Sequence, residues 1–180
     1  MPSIRMPMRG VGRSLTTSLV LALALGIVTA LPVESRAAQV TLRCPRTLRD
    51  AQQQSVEVTI DAGSTPLGAY SITVTYDAGL LAVASVAGGN STEFAGAPTS
   101  STPAPGRTNI AALQAASLTS PAGEVSVAKV NFNVVGTPTA TTAVGVAVNQ
   151  LFGTDGKAFV RATGTGCSIS SDRSRTHERR

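Results

Sequence analysis

The chain of 180 residues contains no tryptophan, only two tyrosines and four phenylalanines, and a single histidine, His177, in its last residues. Each scarcity removes a class of function. Without tryptophan, and with Tyr70, Tyr76, Phe132, Phe152 and Phe159 all read as core, there is no exposed aromatic platform on which sugar rings or bases would stack. With the histidine in the tail, neither a Ser/His/Asp nor a Cys/His nucleophile can be assembled, so no catalytic residue is assigned. The two cysteines, Cys44 and Cys167, are not spaced as CxxC, and no loop alternates Asp and Asn. Neither a metal site nor a calcium loop is therefore expected, and no cofactor is implied. The acids are scattered through the sequence, where solvated strand edges and turns account for them better than a glycosidase pair.

Long apolar runs are also missing, except for one near the start. Arg5, Arg9 and Arg13 precede an uncharged stretch from Leu19 to Leu31, and Ser35-Arg36-Ala37 places small residues where a signal peptidase reads them. The apolar run falls short of the roughly 20 residues needed to span a bilayer. Residues 1–37 are expected to be a signal peptide and the mature chain to be secreted or extracellular, with no membrane segment after cleavage. In that setting Cys44 and Cys167 are expected to form a disulfide that staples the first strand to the last.

The net charge of +5 is misleading. Its excess resides in the signal and in the basic tail, residues 172–180, whereas bases and acids balance between Ala38 and Ser171. A neutral body without a basic face excludes nucleic acid as a partner.

Between these ends lies one domain, residues 38–171, of a size that can bury a core. Val, Thr, Ala, Ser and Gly dominate, and short alternating runs are separated by turn residues, the pattern of an all-β sandwich. Tyr70, Ile72, Val74 and Tyr76 alternate with Ser71, Thr73 and Thr75, which predicts a strand with one apolar and one wet face. Asp77, Ala78 and Gly79 turn the chain, and Leu81, Val83 and Val86 resume an apolar pattern. The segment from Gly96 to Gly106 is rich in Pro, Ser and Thr and reads as an exposed loop. A small-residue strand is expected from Thr108 to Ser117. Between Gly123 and Val135 the apolar phase slips from Val125 and Val127 to Val130, Phe132 and Val134, so a bulge is expected near Ala128 or Lys129. Val144, Val146 and Val148 alternate next, and Phe159 to Ile169 closes the domain. Asp77 and Asp155 fall in turns, where Asx hydrogen bonding explains them without a ligand, a calcium ion near one of them being the lesser alternative.

The string Tyr76, Asp77, Leu81, Val83, Ser85 and Val86, with the VNFNVV strand and the LFGTDGKAF turn, resembles cohesin modules from about Val40 to Ile169. The resemblance implies a jelly-roll β-sandwich of about nine strands and a non-catalytic binding module. Its partner would be a dockerin-like or other extracellular protein, in polysaccharide-degrading or cell-surface assemblies. It further implies that one sheet face meets the partner, which here places Ser71, Thr73, Leu113 and Ser117 at the site. The alternatives are a carbohydrate-binding module of the same superfamily, engaging polysaccharide, and a structural cell-surface domain.

Overall fold

The computed structural model describes residues 37–48, 53–137 and 141–171, so the expected signal peptide, except its last residue Ala37, and the basic tail lie outside the described residues. Among the described residues eleven strands follow one another: β1 Ala37–Arg43, β2 Thr47–Leu48, β3 Gln53–Asp61, β4 Leu67–Tyr76, β5 Leu81–Gly88, β6 Thr99–Ala104, β7 Arg107–Leu113, β8 Glu124–Val134, β9 Thr142–Gly153, β10 Arg161–Thr165 and β11 Cys167–Ser171. They form two sheets, ordered β10-β1-β3-β8-β5 and β2-β11-β9-β4-β7-β6. The count exceeds nine partly because the first and last strands each cross from one sheet to the other. β1 pairs in parallel with β10 in the first sheet, and β2 with β11 in the second. The Cys44–Cys167 disulfide sits where both chains make this crossing, joining residues 123 apart with Cα atoms at 5.8 Å.

Period-two alternation produces the sandwich. Val56, Val58 and Ile60 of β3, Tyr70, Ile72 and Val74 of β4, and Val130 and Phe132 of β8 point into one core and are at most 2% exposed. The phase slip in β8 is a bulge: Val58 faces Ala128 while Thr59 faces Ser126, leaving Val127 as the extra residue. The bulge lets Val125, Val127, Ala128 and Val130 all be buried. At the turn after β4, Asp77 Oδ1 accepts the Gly79 amide at 2.8 Å, and its carbonyl accepts the amides of Leu80 and Leu81. Asp155 closes its turn similarly, accepting the Lys157 amide at 3.1 Å.

The Pro-rich segment, expected as a loop, contains the edge strand β6. Proline cannot donate into a ladder, but the outermost strand leaves one side unpaired, and there Pro103 is tolerated. Pro105 and Gly106 then turn the chain into β7, and Gly106 takes φ +76°, the value required by the third position of a type II turn.

Candidate partner-binding face

Each sheet buries one side, leaving two outer faces. On the five-stranded sheet the polar side chains satisfy one another. Arg43 pairs with Glu124, Asn90 and Ser126 donate to Glu57 at 2.8 and 2.6 Å, and Lys129 donates to Asn90 at 2.7 Å. No large exposed apolar side chain lies within these strands.

The outer face of β9-β4-β7-β6 has different chemistry. Among the described residues Arg107 is its only charged one, since β4, β6 and β9 contain none. Register orders it into rows: Leu113, Ala69 and Phe152 across β7, β4 and β9, then Ala111, Ser71 and Gln150, then Asn109, Thr73 and Ala147. One end is therefore apolar and the middle is hydroxyl and amide. A hollow of ≈ 450 Å³ opens beside the apolar end, lined by Ala69, Tyr70, Pro98, Thr99, Ala111 and Leu113.

The four residues expected at the site are not equivalent. Leu113 is 76% exposed at the end of β7, where a large apolar side chain is available to a partner. Ser71 is half-buried at the centre. Thr73, expected on a wet face, is only 2% exposed, because its hydroxyl donates to Asn109 Oδ1 at 2.9 Å and accepts Asn149 Nδ2 at 3.1 Å. The flanking amides cover it. Ser117 lies beyond the end of β7, in the following loop, and its hydroxyl accepts the amides of Thr119 and Ser120 at 3.2 and 3.1 Å. A turn hydroxyl already holding two amides is a loop brace. Thr73→Ala is accordingly expected to lower stability by about 1 kcal/mol, the net value of a hydrogen bond in a protein. Urea unfolding checks this, and an unchanged midpoint would show that the amide cover contributes nothing.

Sequence reading missed three features. Phe152, expected in the core, lies on the outer row, because β9 shifts register at Asn149 and turns Leu151 inward against Tyr70. The change from Val144, Val146 and Val148 to Leu151 carries that signal. Gln114 organises the loop after β7: its amide nitrogen donates to the carbonyls of Leu67, Ser117 and Ser120, and its oxygen accepts the amides of Ala116 and Ser117. Leu118 is 80% exposed in that loop, and its carbonyl accepts the Thr154 hydroxyl at 2.6 Å. At the same end Gly68 admits no side chain, since a Cβ there would stand 2.7 Å from the Gly153 carbonyl oxygen.

Ionisable groups are of little consequence for the face. Burial raises the Tyr70 phenol, which donates to the Val127 carbonyl at 3.2 Å. A hydrogen bond from Ser120 at 2.5 Å holds the Glu93 carboxyl below its ordinary value and clips the loop before β6 to the one after β7. Among the described residues no group of three or more His, Cys, Asp or Glu could hold a metal ion.

The model of the cohesin domain matches residues 51–169. This chain belongs to the cohesin family. The seventh ScaB type I cohesin of Pseudobacteroides cellulosolvens superposes with a TM-score of 0.63 at 19% identity, covering 79% of this chain and 97% of that one. The sixth cohesin of scaffoldin B from Acetivibrio cellulolyticus, solved in complex with a Cel5 dockerin mutant, gives 0.61 at 15% identity, covering 77% and 99%. A cohesin of Clostridium acetobutylicum gives 0.60 at 21%, covering 76% and 92%. No curated protein matches the chain. At these identities the solved cohesins share the fold, and the face described above rests on this cohesin's own residues.

Proposed function

We propose that this cohesin is an exported, non-catalytic binding module that captures a dockerin-type protein on the outer face of β9-β4-β7-β6. The observation that carries the reading is the composition of that face. An exposed leucine borders a hollow at one end, the centre is neutral and hydrogen-bonding, and the opposite outer face is occupied by its own ion pair and amide contacts. Interfaces draw most of their energy from a few desolvated anchors, and Leu113 is the anchor here. Ser71 and Asn109 supply hydrogen bonds around it, whereas Thr73 and Ser117 position their neighbours. The cohesin of Acetivibrio cellulolyticus bound to a dockerin supports the partner class. A disulfide and the leader reading support action outside the cytoplasm.

Leu113→Asp tests this reading. Capture of dockerin modules encoded by the same organism is expected to fall at least tenfold, measured by titration calorimetry. The thermal midpoint should stay within a few degrees, because an outward position tolerates charge. With Arg107 as the only charge on the face, wild-type binding should weaken little between low and physiological salt. If the chain instead sediments with insoluble cellulose or chitin, and Leu113→Asp leaves that unchanged, the carbohydrate-binding reading replaces this one.

A further inference from the structure

The edge strand β6 contributes no side chain to the hydrophobic core and reaches the proposed face at its rim, where Thr99 borders the hollow, yet its chemistry is unusual. Thr99, Ser100, Ser101 and Thr102 are four consecutive hydroxyl residues between Pro98 and Pro103, and no charged residue occurs between Glu93 and Arg107. All six residues of β6 are exposed, and β6 terminates its sheet, so its outer edge has no neighbour among the described residues. The four hydroxyls divide sharply. Thr102 bonds the buried Thr108 hydroxyl at 2.9 Å, which in turn meets the Tyr76 hydroxyl at 3.3 Å. Among the described residues no hydrogen bond engages the side chains of Thr99, Ser100 or Ser101, whereas Ser117, Ser120, Ser126 and Thr154 in other loops and strands are all tied to protein groups.

An uncharged, unpaired edge is a template for pairing with another chain, and proteins blunt such edges with charge, proline, bulges or a cover. Here proline and one register irregularity, between Ser101 and Ala104, are present, and charge is absent. Clustered Ser and Thr among prolines are also the composition of O-glycosylated segments. We infer that Thr99, Ser100 and Ser101 of β6 form an acceptor site for O-linked sugars, which complete the protection of this edge.

In the transfer, a side-chain oxygen forms a bond to the anomeric carbon of an activated hexose, carried on a nucleotide diphosphate or a polyprenyl phosphate. The bond from that carbon to the phosphate oxygen breaks, the phosphate leaves with the electron pair, and the hydroxyl proton passes to a base of the transferase. The acceptor must be extended, exposed and free of competing hydrogen bonds, and β6 meets all three conditions at these positions. Register places Thr99 opposite Ala111 and Ser101 opposite Asn109, so sugars on these two rim the proposed binding face, while Ser100 points to the other side.

The test uses the full chain recovered from the organism that makes it. Cleavage after Glu93 and after Arg107 releases the peptide from Phe94 to Arg107. Its mass should exceed that of the bare peptide by whole hexose residues, and electron-transfer fragmentation should place them on Thr99, Ser100 or Ser101. In the Thr99→Ala, Ser100→Ala, Ser101→Ala triple variant the increments should vanish with the thermal midpoint of the unmodified protein unchanged, since these side chains bond nothing. An unmodified peptide, phosphate in place of sugar, or sugars that persist on the triple variant would each overturn the proposal. Dockerin capture is not the readout, so failure here is separable from failure of the binding reading.

Discussion

Replacing both cysteines, by Cys44→Ser with Cys167→Ser, is expected to lower stability by about 4–5 kcal/mol, the loop-entropy value for a closed loop of this length. The bond joins residues 123 apart, so it encloses almost the whole domain, and its loss acts mainly on the unfolded ensemble. For a domain of ordinary stability, about 5–15 kcal/mol, that is a large share. The folded structure should persist, because β1 still pairs with β10 and β2 with β11 on either side of the crossing. Guanidinium unfolding of the two forms checks the magnitude, and near-ultraviolet circular dichroism checks the fold. Coincident midpoints would show that the crossing strands hold the termini together without the bond.

Phe132→Ala should cost about 3–5 kcal/mol, the range for emptying a buried aromatic position. Phe132 is fully buried in β8 between its neighbours β3 and β5, and its ring meets Tyr76 edge-on, with centroids 5.0 Å apart, across the two sheets. The cavity would open where the sheets meet, and neither can collapse into it without breaking register. Tyr76→Phe serves as the control. It keeps the ring and removes only the 3.3 Å contact with Thr108, so it should cost less than about 1.5 kcal/mol. Equal losses in the two variants would mean that the hydroxyl contact, rather than the ring packing, secures this part of the core.

What the sequence by itself determined follows from period two. Alternation in Val56, Val58, Ile60 and in Tyr70, Ile72, Val74 assigned strands and their inward faces, because a side chain's side of a sheet is set by its parity along the chain. The same parity argument located the β8 bulge, and the two cysteines and the order of turns were enough for the sandwich and its staple. Tertiary structure alone decided how much of an outward residue meets water. Thr73 has outward parity yet is covered, because Asn109 and Asn149 reach it from strands 36 and 76 residues away in sequence. Ser117 shares the parity of Leu113 but lies past the strand end, where Gln114 has turned the chain into a braced loop. Whether the Pro-rich segment is a loop or a strand was likewise settled from outside it, since Pro103 is compatible with β6 because β7 pairs on one side and no described strand pairs on the other. Parity is a local property, written in successive residues; exposure depends on neighbours brought by register, which no short stretch of sequence contains.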